Sequence, residues 1–172
     1  TAPADLDALK NTVIEGKKVN DLVLEKSGIT GEKFELAFFG SITAAAVQAY
    51  IHPGNKLATL VGFSKAGIDM QVYKDVAMQV AAMNPVSVDK DDVPEKILAQ
   101  ELDIAREQAR REGKPEEMLE KIAQGKLNKF FKEGTLMNQE FIKDSKLSIR
   151  QYLESHDKSI KATGFIRYTL NV

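Results

Sequence analysis

The chain has 172 residues, 43% apolar and 28% charged, with a formal net charge of −1 and no cysteine. This composition predicts a soluble globular protein of one domain or two small packed lobes. It excludes disulfides and thiolate metal sites, supplies no surplus of basic charge for nucleic acid, and holds no apolar run near the roughly 18 residues of a membrane span. The first residues, TAPADLDALKN, lack the basic and apolar regions of a signal peptide, so a cytoplasmic protein is expected. Thr1 in place of an initiator methionine is read as an internal cut.

Residues 4–26 read as helical, with Leu6, Leu9, Val13, Val19, Leu22 and Val23 on one apolar face interrupted at Gly16. Lys33–Phe39 alternates weakly through Phe34, Leu36 and Phe38, and is expected to be a strand. Ala44–Ile51 sets Val47, Ala49 and Ile51 on one side, with Gln48 and Tyr50 on the other. Lys56–Phe63 alternates again through Leu57, Thr59, Val61 and Phe63. His-Pro-Gly-Asn between these two runs predicts a β-hairpin, because Pro presets φ and Gly or Asn accepts positive φ.

Asp69–Met83 returns to helical spacing through Val72, Val76, Ala77, Val80 and Met83, and Asn84-Pro85 ends it. A boundary between lobes is placed near Pro85, giving an N-terminal lobe over 1–84 and a C-terminal lobe over 85–172. Within 94–131, Leu98, Leu102, Ala105 and Ala109 form a narrow seam suited to a helix pair. Gly113-Lys114-Pro115 stops one helix and starts another. Arg110 and Arg111 then sit in the last turn of the first helix, and Glu116 and Glu117 in the first turn of the second, as the macrodipoles favour. So short a connection forces an antiparallel helical hairpin. Nine acidic and nine basic residues between Glu95 and Glu133 describe a solvated projection. Ser148–His156 reads as a short helix and Thr163–Asn171 as a final strand. The class is α+β, with antiparallel sheet in each lobe.

Chemistry is hard to find. His52 has no Ser or Cys elbow, no His-Glu-x-x-His and no acid at metal-ligand spacing around it, so it reads as a turn-flanking residue. His156 reads as a helix-end imidazole. Asp89, Asp91 and Asp92 lack the glycine and distal glutamate of a calcium loop and read as a solvated acidic loop. Gly28, Gly31 and Gly40 make no phosphate-binding motif, so no direct nucleotide binding is expected. Lys126, Lys129 and Lys132 read as a solvated face diluted by Glu120 and Glu133. The stretch LMNQEFIKD, residues 136–144, carries apolar bulk around an amide pair. Such a segment packs inward or meets a partner, and spacing alone leans to core.

Several stretches carry a resemblance. YIHPGNKLATLVGF (50–63) resembles the Tyr-x-His-x-x-Gly-x-x-(apolar)-x-Leu-Val hairpin of the bacterial and organellar elongation factor Ts family. DVAMQVAAMNP (75–85) is similar to its Ala-Met-His-Val/Ile-Ala-Ala helix, with Gln79 where His is usual. The run GKPEEMLEKIAQGKLNKFFKEGTLMNQEFIKD (113–144) resembles the family's segment ending in Gln-Pro-Phe-Val, with Glu140 in place of Pro. TGFIRYTL (163–170) is similar to its Thr-Gly-Phe-Ile-Arg-(aromatic) strand. The matches run in family order over residues 45–172.

The resemblance implies two related lobes, each with a small, about three-stranded antiparallel sheet, plus a protruding helical hairpin. It implies guanine-nucleotide exchange on elongation factor Tu, with no catalytic residue, metal or cofactor of its own, and no nucleic-acid or membrane partner. It places Phe141, Ile142 and Lys143 at the contact with that GTPase, and Met78 and Gln79 as further contact candidates. The family's N-terminal ubiquitin-associated-like module and its Thr-Asp-Phe-Val motif are not in this sequence, so a core fragment with reduced exchange is expected. The reading from another class is a non-exchanging adaptor that forms a homodimer through hairpin 94–131, and an unassigned hydrolase is third.

Overall fold

A computed structural model describes residues 2–170; Thr1, Asn171 and Val172, and with them the expected end of the last strand, lie outside it. The chain divides into two compact units between Ser41 and Ile42.

The N-terminal unit holds α1 (Leu6–Asn11) and α2 (Val19–Thr30). Asp5 caps α1 by accepting from Ala8 N at 2.8 Å. The continuous helix expected here is broken by a tiny hairpin, β1 (Val13–Ile14) against β2 (Lys17–Lys18). Glu15 and Gly16 both take positive φ, 50° and 80°, the turn that matches strand twist. α2 ends on Gly31, left-handed at φ 72°. No strand forms over residues 33–39, where Phe34 N–H donates to Ser27 Oγ at 2.9 Å.

The second unit is built on a three-stranded antiparallel sheet. β3 (Ala46–Ile51) and β4 (Leu57–Phe63) are the expected hairpin, closed by His52 N–H to Leu57 O at 2.9 Å, with Gly54 and Asn55 at positive φ. β7 (Ala162–Thr169) lies on the other side of β4, giving the order β3-β4-β7. Residues 42–84 therefore complete their sheet with a strand from the far end of the chain. The helical period around Pro85 marks the end of a helix, and nothing local announces the later return of β7.

α3 (Met70–Met83), capped by Asp69 and ended by left-handed Asn84, packs on this sheet. Val72, Tyr73, Val76, Ala77 and Val80 of α3 meet Val61 and Phe63 of β4, together with Leu136, Met137 and Phe141. Thr59 Oγ1 donates to Ala77 O at 2.9 Å and Arg167 Nε to Ala81 O at 3.2 Å, tying β4 and β7 to the same helix. β3 turns Gln48 and Tyr50 toward the core side and leaves Val47 and Ile51 exposed, so the apolar set of this strand faces outward.

α4 (Glu95–Arg111) and α5 (Glu116–Gly134) form the antiparallel hairpin. Ala105, Ala109, Leu119, Ala123 and Leu127 are its buried seam. Gly113 at φ 73° lets its own N–H reach Arg110 O and Lys114 N–H reach Ala109 O, a Schellman ending. Across the tip, Arg110 pairs with Glu116 at 2.8 Å and Arg106 with Glu120 at 2.8 Å. After a 3-10 turn at Leu136–Asn138 come β5 (Glu140–Phe141) and β6 (Asp144–Ser148), a second antiparallel pair, and then α6 (Ile149–His156) behind a Ser148–Gln151 capping box. The α+β class with small antiparallel sheets of two to three strands holds throughout.

Candidate functional site

The segment 136–144 packs inward over most of its length and surfaces at one turn. Leu136, Met137, Gln139 and Phe141 are buried, while Ile142 and Lys143 come out at the turn between β5 and β6. What fixes that turn is α3. Gln79 is fully buried, and its amide bonds the turn's backbone: Nε2 donates to Glu140 O at 3.0 Å, and Oε1 accepts from Ile142 N at 3.0 Å. A second amide, Gln139, lies 3.3 Å from Gln79 Nε2 and donates to Glu133 O at 2.9 Å, so neither glutamine is buried unsatisfied.

One turn earlier on α3, buried Asp75 holds the side chains of the same region. Its Oδ1 accepts from Lys143 Nζ at 2.7 Å and its Oδ2 from Tyr152 OH at 2.9 Å, with Gln71 as a further donor. Burial alone would raise the Asp75 carboxyl, but the donors Lys143, Gln71 and Tyr152 outweigh it and hold the group below its usual range. Burial, and then the bond to Asp75, push the Tyr152 phenol the other way, well above its ordinary value. The Tyr152 ring stacks on Phe141 at 4.2 Å between centroids, 25° from parallel.

Beside the turn lies an apolar depression of about 330 Å³ lined by Tyr50, His52, Leu57, Met78, Ala81, Ala82 and Ile142. It joins the edge strand β3, the start of β4, the outer side of α3 and the β5–β6 turn. Of the residues expected at a partner contact, Met78 and Ile142 line it together, and exposed Lys143 follows Ile142. Phe141 and Gln79 lie beneath the surface, where their side chains support the turn.

His52, read from sequence as a turn residue, is on the rim with Tyr50, whose hydroxyl is 3.1 Å from His52 Nδ1. The available signal was Tyr-x-His at period two, which puts both rings on one side of the strand. Asp75 and Gln79 carried a signal as well: two polar residues at i and i+4 within the apolar stripe of α3.

Other expectations fall elsewhere. Asp89 is no free solvated residue: it caps the 3-10 turn Lys90–Asp92 in a capping box with Asp92, pairs with Arg150 and accepts from Asn138 Nδ2 at 2.8 Å. Burial raises its carboxyl, and the bonds from Arg150 and Asn138 bring it below the usual range. Among the described residues no group of three or more His, Cys, Asp or Glu could hold a metal ion. No described helix is long and apolar enough to cross a membrane.

The fold is that of an α+β protein with a shallow apolar depression beside a turn that Gln79 and Asp75 hold from below. The family model described as Elongation factor TS matches residues 1–172, and the chain belongs to that family. It is 51% identical over 157 residues to an elongation factor Ts of Porphyromonas gingivalis, covering 91% of this chain and 57% of that one. It is 54% identical over 167 residues to one from Amoebophilus asiaticus, covering 96% and 60%. Against one from Azobacteroides pseudotrichonymphae it is 45% identical over 170 residues, covering 99% and 62%. The chain thus spans about three fifths of the length of these relatives.

Proposed function

We propose that this chain is a docking core for elongation factor Tu within a guanine-nucleotide exchange factor, and that it engages the GTPase through Ile142, Lys143, Met78 and His52. The observation that carries the reading is the meeting of Met78 and Ile142 in one apolar depression, 64 positions apart in sequence, in a chain of this family. Phe141 and Gln79 act from below by holding the turn. An apolar depression with a rigid rim suits an anchor side chain, the usual source of most interface energy.

Exchange needs no bond chemistry. A factor that binds the nucleotide-free GTPase more tightly than the loaded form weakens nucleotide affinity by the same factor. Contacts shared by both forms give docking without release. The contacts proposed here supply docking, so this 172-residue chain should promote GDP release from elongation factor Tu more slowly than its longer relatives do. Labelled GDP on purified elongation factor Tu tests both statements. Co-elution with slow release supports a docking core, release at the full-length rate contradicts the reduced activity, and no co-elution contradicts the docking.

Self-association through the hairpin is the weaker reading. The seam of α4 and α5 is already buried between them, which leaves Ile104 and Met118 as its exposed large apolar residues. Sedimentation of the chain alone decides it.

A further inference from the structure

We infer that Asp75 is a positioning residue for docking: from α3 it fixes the side chains of the β5–β6 turn that the partner reads. The inference rests on the docking reading above and adds to it a residue that never touches the partner.

A carboxylate at this place asks for a reason. Asp75 is only 5% exposed, in the middle of α3, where it neither caps the helix nor meets its dipole. Its neighbours on the buried side are Val72, Val76 and Val80. An aliphatic residue would fill the position without the cost of burying a charge, a cost that only good partners offset. The partners are informative. Gln71 comes from the same helix, Tyr152 from α6 and Lys143 from the turn itself. Asp75 thus joins α3, α6 and the turn through side chains.

Two consequences follow for the surface. Tyr152, held by its hydroxyl, presents its ring face to Phe141, and Phe141 is the residue next to the exposed Ile142. Lys143 is held by its ammonium while its side chain stays 45% exposed, so its methylene stem is laid along the surface rather than left free. Gln79, one helical turn on, fixes the backbone of the same residues. Asp75 holds the turn by the Lys143 side chain and Gln79 by its backbone, both from the same side of α3, so release of either hold loosens the turn as a whole. A turn ordered before binding loses less entropy on association.

The test uses the full 172-residue chain in three variants: Asp75→Asn, Tyr152→Phe and the double variant. The first keeps shape and removes the charge; the second removes one hydroxyl and keeps the ring, so it reports even if Asp75→Asn does not fold. Two quantities are read: amide hydrogen exchange by NMR in the free protein, and affinity for purified elongation factor Tu. Asp75→Asn should speed exchange at Ile142 N–H about tenfold while the amides of β4 keep their protection. It should also weaken binding about tenfold, and Tyr152→Phe should do both to a smaller extent. The double variant should bind about as the worse single one does, because both act through one link.

Unchanged exchange at Ile142 in a folded variant overturns the inference. So does exchange that rises equally across β4 and α3, which describes a merely structural residue, and so does a loosened turn with unaltered affinity. If the wild-type chain fails to bind at all, the docking reading itself falls, and exchange in the free protein still decides whether Asp75 orders the turn.

Discussion

Gln79 and Ile142 are joined side chain to backbone, Oε1 accepting from N–H at 3.0 Å across 63 residues of chain. The bond converts a two-residue protrusion into a fixed feature of the helix beneath it. Replacing Gln79 with Leu keeps the volume and removes the partner of part-buried Ile142 N–H and Glu140 C=O and of buried Gln139 Oε1. Each buried group left without a partner costs about 1–3 kcal/mol, so urea melts of Gln79→Leu should show a loss of at least about 2 kcal/mol. A loss below about 0.5 kcal/mol, the scatter of surface substitutions, would mean that water replaces the amide without penalty.

Gly62 marks a second close approach. A Cβ there would lie 2.8 Å from Ile42 Cγ2, 3.0 Å from Ala44 Cβ and 3.0 Å from Thr163 Oγ1. Gly62→Ala should therefore destabilise by about 1–3 kcal/mol, the usual cost of overpacking. A thermal melt checks it, and an unchanged midpoint would show that residues 42–44 lift away freely.

Three carboxyls share a sign. Asp75, Asp89 and Asp157 are all held below their ordinary range: the first two by donors that outweigh burial, the third chiefly by Lys65 and Ser159. A depressed folded value contributes stability that is present above the unfolded value, near pH 4, and is lost as pH falls toward the folded one. Tyr152 is raised instead, so the unfolded phenol ionises first and stability declines as pH rises past about 10. Urea midpoints against pH should be flat between about pH 5 and 9 with respect to these groups and fall on both sides. Asp89→Asn should flatten the acid limb; an identical limb would show that the Arg150 pair contributes nothing.

The hairpin should be separable. Its seam and its ion pairs, Arg106–Glu120 and Arg110–Glu116, lie within α4 and α5. Replacing residues 98–127 by a Gly-Ser turn should leave a cooperative melt and the near-UV signal of the remaining tyrosines. Precipitation of the shortened chain would show that the hairpin is part of the core.

What the sequence made legible follows how local each signal is. The β3–β4 hairpin, α3, the Gly113 break and α6 are written in adjacent residues: turn chemistry, period and caps. Lys33–Phe39 alternates and yet forms no strand, since alternation states only that a strand could form, and Ser27 takes one of its amides instead. The pairing of β7 with β4 lies about a hundred residues beyond any local signal. At the candidate site, family resemblance offered Ile142, Lys143 and Met78, of which Met78 and Ile142 line one depression. His52, which lines the same depression, was not offered, because a histidine without catalytic neighbours reads as a turn residue. Asp75 showed only as a polar residue four before Gln79 in the apolar stripe of α3, because its donors Lys143 and Tyr152 lie far along the chain.

The affinity of elongation factor Tu for this chain and for its Ile142→Asp variant tests the central claim most directly. Phe141→Ala would mix docking with folding, because Phe141 is buried against Tyr152, whereas Ile142 is exposed at the edge of the depression. A charge on an apolar anchor should cost about 2 kcal/mol or more of binding, a loss of at least about thirtyfold in affinity, with the melt of the free chain little changed. Equal affinities in two folded proteins would contradict the account and place the docking surface elsewhere.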